Sequence, residues 1–134
     1  GICLGLQVLF DDSEEGVEKG LGIIPGTVRL FQAEPNLTIP HMGWNHLEFT
    51  QPEHPLWQNL PPDPMVYFVH SYYVDPIDPK VRAAMVTHGT QRVTSAIAQD
   101  NIMAVQFHPE KSSHVGLQIL TNFVSLIPSS VAVY

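Results

Sequence analysis

The sequence has a single cysteine, in a setting that suits a nucleophile. Cys3 lies between Gly1 and Gly5 in a G-x-C-x-G pattern, the cysteine counterpart of the G-x-S-x-G nucleophile elbow. We expect glycine at both positions because a Cβ on either side would crowd a sharp turn. Helix-forming residues follow at once, so the helix dipole should lower the pKa of Cys3, and the Leu4 N–H should face a developing oxyanion. A lone cysteine is more often a buried structural thiol, but the flanking glycines favour catalysis.

A histidine and a glutamate near the other end of the chain could serve this cysteine. His108 and Glu110 flank Pro109 after an apolar run. Proline disfavours helical backbone at the residue before it, so we expect an extended segment with both side chains on one side. Glu110 would accept one imidazole N–H and so fix the tautomer whose other nitrogen faces the thiol. Such a pair is common in solvated loops. Together with Cys3, however, it would complete a catalytic triad of a nucleophile, a base and an orienting carboxylate.

The elements that must position these residues are mostly strands. Alternating or β-branched runs, separated by Asp-Pro, His-Gly and Asp-Asn turns, predict strands over Thr27–Phe31, Met65–Val74, Val81–Thr87, Val93–Ala98 and Ile102–Phe107. The stretch from Pro35 to Pro64 is rich in proline, and we expect loops there with one brief strand at His46–Phe49.

Two helices are predicted. The first is short and largely buried, from Leu4 to Phe10, and the second begins at a cap provided by Ser112 or Ser113. Apolar residues recur at helical spacing from Val115 onward, and this second helix should end before Pro128, with one face packed on the sheet.

Composition narrows the class of protein. At 134 residues and 44% hydrophobic content, residues 1–134 fit a single domain with one core. The net charge of −7 argues against nucleic acid or a membrane surface as partner. One cysteine cannot form an internal disulfide, and no apolar run approaches the roughly 20 residues of a membrane span, so a soluble protein of the reducing cytoplasm is expected. His41, His46 and His54 lack metal-ligand spacing, so we predict no metal.

Four sequence blocks carry a family resemblance. GICLGLQ (residues 1–7) and VQFHPEKS (residues 105–112) resemble the two signature blocks of class I, triad-type glutamine amidotransferases, in the expected order. PHMGWNHL (residues 40–47) and YFVHSYYV (residues 67–74) resemble more narrowly the glutaminase subunit or domain of imidazole glycerol phosphate synthases. The resemblance implies an α/β fold, a flavodoxin-like three-layer sandwich with a mixed sheet and flanking helices. It also implies that this chain is the C-terminal, partial domain, and that further strands and a Gly-rich oxyanion loop belong before Gly1.

The resemblance also implies an activity and its residues. Glutamine would be hydrolysed to glutamate and ammonia through a glutamyl thioester on Cys3, with His108 and Glu110 completing the triad and with no cofactor. Substrate contacts carried over by the matching blocks fall on Leu4, Gln7, Glu15, His70, Ser71 and Tyr72. Without the resemblance, Gln7 would be a surface polar residue of a helix and Glu15 a solvated charge.

The same resemblance implies a partner. This is a (β/α)₈-barrel cyclase that receives the ammonia and forms imidazole glycerol phosphate and AICAR in histidine biosynthesis. Positions that would face this partner are Trp44, Asn45, Tyr67 and Lys111. Trp44 would otherwise be interpreted as core, although a tryptophan beside glycine and asparagine suits an interface anchor.

Two alternatives stay open at this point. The first is an amidotransferase of another pathway, such as anthranilate, aminodeoxychorismate or guanylate synthesis, since these enzymes have the same triad. The second is a truncated, non-catalytic chain that acts only as a binding module.

Overall fold

The computed structural model describes residues 1–128, which form a mixed sheet, a smaller sheet and two α-helices. Within these residues the main sheet has seven strands: β1 (Asp12–Ser13), β2 (Gly26–Leu30), β4 (Glu48–Phe49), β6 (Tyr72–Pro76), β7 (Arg82–His88), β8 (Gln91–Gln99) and β9 (Ile102–Val105). The smaller sheet pairs β3 (His41–His46) with β5 (Met65–His70), and the helices are α1 (Leu4–Gln7) and α2 (Ser113–Ser125). Three 3₁₀ turns lie at Pro55–Trp57, Pro79–Val81 and Pro109–Lys111.

The main sheet combines parallel and antiparallel pairing. Its strand order is β1-β2-β6-β8-β7-β4, with β9 also paired to β8. The pair β1–β2 is parallel, and the other strand pairs are antiparallel. A parallel bridge between Ile2 and Val105 adds the first residues of the chain beside β9. The predicted α/β class with a mixed sheet and flanking helices is therefore confirmed.

The buried residues form two clusters on opposite faces of the main sheet. Along β8, Ala96 and Ala98 belong to one cluster and Ile97 to the other, as expected when successive side chains point to opposite faces. Helix α2 contributes Ile119 to the first cluster, and α1 contributes Leu6 to the second. The sheet thus lies between two apolar layers. Neither helix of the described residues is long and apolar enough to cross a membrane.

The predicted strand Met65–Val74 is in fact two strands in two different sheets. β5 ends at His70, Ser71 forms a bend, and β6 begins at Tyr72. β5 pairs only with β3, whereas β6 pairs with β2 and β8. The apolar alternation continues across the bend, so the sequence pattern contained no signal for the change of partner.

The proline-rich stretch contains a strand that was predicted as loop. β3 pairs with β5 along its whole length, from His41 opposite His70 to His46 opposite Met65. Its six residues include no proline, and a partner strand distant in sequence provides the hydrogen bonds. At the first helix the prediction was too long, because α1 ends at Gln7 and the chain turns to bury Phe10.

Ser112 does not cap α2 as predicted. The helix begins at Ser113, and its preceding residue, Ser112, makes no side-chain hydrogen bond to the helix. Instead the Ser112 hydroxyl donates to the His108 carbonyl at 2.6 Å and accepts the Tyr67 N–H at 2.9 Å. This fully buried hydroxyl therefore fastens the turn after His108 to strand β5.

Helix α2 approaches the same turn so closely that only glycine fits at one position. An added Cβ at Gly116 would lie 1.8 Å from the Pro109 carbonyl oxygen. We therefore expect Gly116→Ala to lower the free energy of unfolding by about 1–3 kcal/mol, the usual cost of overpacking, although alanine normally stabilises a helix interior. Urea unfolding measures the difference.

The matched control is Gly16→Ala, because no atom of the described residues lies within 4 Å of an added Cβ there. Its free energy of unfolding should change little. A Gly116→Ala variant as stable as Gly16→Ala would contradict the proposed packing of α2 on the Pro109 carbonyl.

Candidate active site

Cys3 occupies a strained turn between an extended segment and a helix. Its N–H donates to the Val105 carbonyl at 2.8 Å, and the Val105 N–H donates to the Gly1 carbonyl at 2.9 Å. Cys3 itself has φ 55° and ψ −107°, a left-handed backbone that side chains rarely adopt, and α1 starts at the next residue. This is the geometry of a nucleophile elbow, in which strain exposes the reactive side chain.

The two flanking glycines are not equivalent. An added Cβ at Gly1 would lie 2.4 Å from the Gly5 carbonyl oxygen, so the turn requires glycine there. At Gly5 an added Cβ would meet no atom of the described residues within 4 Å. The expectation of crowding was therefore right for Gly1 and wrong for Gly5.

The environment of the Cys3 thiol is less favourable to the thiolate than the sequence predicted. Burial raises the pKa of Cys3, and the negative charge of Glu110 raises it further. Hydrogen bonds from the Leu4 N–H and the Gln106 side chain act in the opposite direction but do not reverse the shift. Because α1 has only four residues, its dipole is small. The environment of the sulfur therefore favours the thiol over the thiolate.

His108 and Glu110 make the predicted contact. The two carboxylate oxygens of Glu110 lie 3.1 and 3.2 Å from His108 Nδ1. A carboxylate can only accept, so Nδ1 carries the proton and Nε2 of the neutral ring is the basic nitrogen. His108 has extended backbone as expected, but a 3₁₀ turn at Pro109–Lys111, rather than an extended segment, brings Glu110 back to the ring.

The segment that follows β9 carries both Gln106 and His108. Val105 and Phe107 pack in the apolar core, and Gln106 between them is fully buried. The Gln106 Nε2 atom lies 3.7 Å from the Cys3 sulfur. The Tyr67 carbonyl accepts the His108 N–H at 3.0 Å and holds this segment in place.

A cleft of about 350 Å³ opens at Cys3, a size within the range of small-molecule sites. All six residues predicted to contact substrate line it together with Cys3: Leu4, Gln7, Glu15, His70, Ser71 and Tyr72. These residues come from α1, from the loop after β1, and from the end of β5, the bend at Ser71 and the start of β6. The fold therefore brings Cys3 and Tyr72, which are 69 positions apart in the sequence, to one cleft, whereas His108 and Glu110 are not among the residues that line it.

The ring of His70 is held by hydrogen bonds within the chain. Its Nδ1 lies 2.8 Å from the Tyr72 carbonyl, which can only accept, so Nδ1 is protonated. Nε2 of His70 then accepts from His41 Nδ1 at 3.0 Å, and His41 Nε2 accepts from the Asn45 carboxamide at 3.1 Å. Any contact between His70 and a ligand in the cleft therefore comes from its backbone or ring face.

The predicted interface residues do not share one face. Trp44 and Tyr67 are opposite each other in the β3–β5 pair, with ring centroids 6.1 Å apart, and Trp44 is half exposed. Exposed Met42 and Met65 extend this outer face. Lys111 is exposed on the turn that adjoins Tyr67. Asn45 has its side chain on the inner face, where it donates to His41 and to the Thr87 carbonyl.

Three further residues support the site and were not predicted to do so. Gln106 contacts the Cys3 sulfur, His41 holds His70, and Ser112 fixes the His108 segment. A polar residue between Val105 and Phe107 in an apolar strand was the one visible signal for Gln106. Nothing local marked the other two, because their partners are far away in the sequence.

The family profile "Glutamine amidotransferase class-I" matches residues 1–126. The chain therefore belongs to the class I glutamine amidotransferases, in agreement with the elbow at Cys3 and the mixed sheet.

Similar curated proteins are more specific. The chain is 70% identical over 132 residues to imidazole glycerol phosphate synthase subunit HisH of Acaryochloris marina, and the match covers 98% of this chain and 62% of that protein. It is 75% identical over 127 residues to the subunit of the same name from Gloeothece citriformis, covering 95% of this chain and 60% of that protein. The chain thus spans about three fifths of the length of the curated relatives it matches.

Solved structures agree on the fold. The glutaminase domain of Trypanosoma brucei CTPS, solved with bound acivicin, superposes with a TM-score of 0.60 at 16% identity, covering 96% of this chain and 60% of that one. A putative GMP synthase protein from Thermoplasma acidophilum gives a TM-score of 0.56 at 20% identity, covering 75% of this chain and 47% of that one. At such identities the likeness concerns the fold alone.

The histidine pair behind the cleft should make stability depend on pH. Burial, with the nearby charges of His70 and His88, lowers the pKa of His41 to about 3. Burial likewise lowers the pKa of His70 to about 4, with smaller effects from Tyr72, His88 and His108. Histidine in an unfolded chain has a pKa of about 6.5, so below that pH the unfolded chain binds protons that the folded chain excludes. Stability is therefore fully present above about pH 6.5 and is lost as the pH falls.

We expect the free energy of unfolding to fall by about 2 kcal/mol per buried ring between about pH 7 and pH 5. Urea unfolding at each pH measures it. His41→Gln should remove about half of this dependence, and His114→Gln, on the exposed surface of α2, should retain it. A parent chain equally stable at both pH values would show that the two buried rings do not exclude protons.

Proposed function

We propose that this chain is the catalytic part of a glutaminase that hydrolyses L-glutamine to glutamate and ammonia. One observation supports this most strongly: Cys3 opens into a cleft lined by all six residues that the family blocks assign to glutamine. His108, paired with Glu110, lies two residues after Gln106, whose amide contacts the Cys3 sulfur.

The first half of the reaction makes a thioester. Nε2 of His108 takes the proton from the Cys3 thiol, and the sulfur attacks the carboxamide carbon of glutamine. The carbonyl oxygen gains the negative charge, and the Leu4 N–H, next to the nucleophile, stabilises this charge. The C–N bond then breaks, His108 returns its proton to the leaving nitrogen, and ammonia departs.

The second half restores the enzyme. Water gives a proton to His108 and attacks the thioester carbon, the C–S bond breaks, and glutamate and the free thiol result. Since burial raises the pKa of Cys3, a positioned base is required in the first half. Glu110 meets this need by holding the His108 tautomer and by stabilising the imidazolium.

The cleft also suits the remainder of glutamine. Glu15 lines it with an exposed carboxylate, which complements the α-ammonium group of an amino acid. Gln7 donates from Nε2 to Tyr72 and Gln106, so its own carbonyl oxygen is the atom that it can offer to a ligand donor.

We further propose that the ammonia passes to a (β/α)₈-barrel cyclase that forms imidazole glycerol phosphate and AICAR in the cytoplasm, during histidine biosynthesis. The relatives at about 70% identity are named as subunits of imidazole glycerol phosphate synthase. The outer face of the β3–β5 pair, with Trp44 and Tyr67 at its centre and two exposed methionines beside them, is the surface we assign to this partner. Val69 of the same strand lines the Cys3 cleft, so a partner there would adjoin the site of ammonia release.

The triad is tested by glutamate release from L-glutamine with the barrel cyclase bound. Cys3→Ala should lower kcat at least about 10³-fold because no other side chain replaces the nucleophile. His108→Ala should have an effect of similar size, and Glu110→Gln a smaller one because the amide can still hold the ring.

Glu53→Gln, which removes an exposed carboxylate in the proline-rich stretch, serves as the control and should leave kcat unchanged. Glutamate release that persists in the Cys3→Ala variant would contradict the proposed mechanism through a thioester on Cys3.

Binding of the partner is tested by titrating the chain with the barrel cyclase in a calorimeter. Trp44→Ala should raise Kd at least about 30-fold, since a half-exposed tryptophan on an apolar face is a typical anchor. Ile77→Ala, an apolar truncation at a residue that is 76% exposed in the turn after β6, is the matched control and should leave Kd unchanged. Equal Kd values for both variants would place the interface elsewhere.

A further inference from the structure

Gln106 is a fully buried carboxamide that directly follows strand β9 and lies between two apolar residues. Its neighbours Val105 and Phe107 pack in the core, and its backbone N–H donates to the Ser95 carbonyl at 2.8 Å. A carboxamide without partners would be costly at such a position, so its hydrogen bonds indicate why it is there. These bonds go to Gln7 and to the Cys3 sulfur.

The direction of these hydrogen bonds is fixed by a backbone carbonyl. The Tyr72 carbonyl can only accept, so the group of Gln7 that lies 3.2 Å from it must be the amino group. The same amino group lies 3.2 Å from Gln106, which must therefore present its oxygen to Gln7. The amino group of Gln106 is left to face Cys3, with Nε2 at 3.7 Å from the sulfur.

A donor aimed at sulfur acts differently on the two forms of cysteine. A thiol is a weak acceptor, whereas a thiolate accepts strongly, so an N–H held at this position favours the charged form. Gln106 is also a group whose hydrogen bond lowers the pKa of Cys3 against the effect of burial.

We propose that Gln106 is a positioning residue for the nucleophile: held by Gln7, its carboxamide donates an N–H to the Cys3 thiolate and so links the floor of the substrate cleft to the sulfur. This inference rests on the proposed function and adds a residue to it. Gln106 acts through Cys3 and does not line the cleft, so its loss should affect kcat more than KM for glutamine.

The single cysteine of the chain allows a direct test. The rate of alkylation of Cys3 by iodoacetamide, followed by mass, is measured against pH and reports the thiolate without any substrate. Gln106→Glu keeps the length of the side chain but replaces the donor by a negative charge. We expect the alkylation profile to move to higher pH by at least about one unit, which means about tenfold slower alkylation near neutral pH.

Gln99→Glu makes the same chemical change at an exposed position at the end of β8, and its profile should coincide with that of the parent. Should the buried charge of Gln106→Glu prevent folding, Gln106→Met removes the donor without adding a charge and should still move the profile upward. A folded Gln106→Glu or Gln106→Met protein with the parent profile would overturn the proposal.

This test is separate from that of the glutaminase. If glutamate release survived Cys3→Ala, the proposed function would fail, while the alkylation profile would still show whether Gln106 acts on the sulfur. If Cys3→Ala abolished release but Gln106→Glu left the profile unchanged, the function would stand and the role of Gln106 would fall.

Discussion

The active site depends on one short stretch of parallel pairing, between residues 1–3 and Val105 at the end of β9. Two backbone hydrogen bonds to Val105 hold Gly1 and Cys3 in place. Without them Cys3 and the His108 segment, more than 100 residues apart in the sequence, would not be held at a fixed distance from each other. The pairing also ends at the elbow, so the strained turn at Cys3 begins where the hydrogen-bonded segment stops. Rigid pairing on one side is what allows the strain at Cys3 to persist.

A second constraint is the Tyr72 carbonyl, which orients two side-chain networks at once. It accepts from Gln7, whose amide then orients Gln106 toward the sulfur, and from His70, whose ring then accepts from His41. The bend at Ser71 makes this possible, because it is where the chain leaves the small sheet and joins the large one. Side-chain amides and imidazoles can flip, whereas a backbone carbonyl cannot become a donor. The donor and acceptor pattern of the cleft is therefore set by the fold.

The sequence predicted those parts of the site that depend on neighbouring residues. The elbow at Cys3 and the contact of His108 with Glu110 arise within a few positions, so residue types and spacing were sufficient. The sequence did not reveal what long-range packing decides. Ser112 was predicted to cap α2 because it directly precedes that helix. Its hydroxyl instead binds Tyr67, which is 45 positions away in the sequence. β3 was missed because its hydrogen bonds come from β5, and the raised pKa of Cys3 follows from burial, which a local helix-dipole argument cannot include.

The raised pKa of the thiol and the position of Glu110 create an apparent conflict, since a carboxylate that repels a thiolate also belongs to the proposed triad. The conflict disappears when the proton transfer is considered as a whole. Moving the proton from Cys3 to His108 creates a negative sulfur and a positive imidazolium together. Glu110 contacts the His108 ring at 3.1 Å, whereas Gln106 and not Glu110 contacts the sulfur. Because electrostatic energy falls with distance, the attraction of Glu110 for the imidazolium exceeds its repulsion of the thiolate. The carboxylate thus disfavours a lone thiolate but favours the ion pair that the proposed reaction requires.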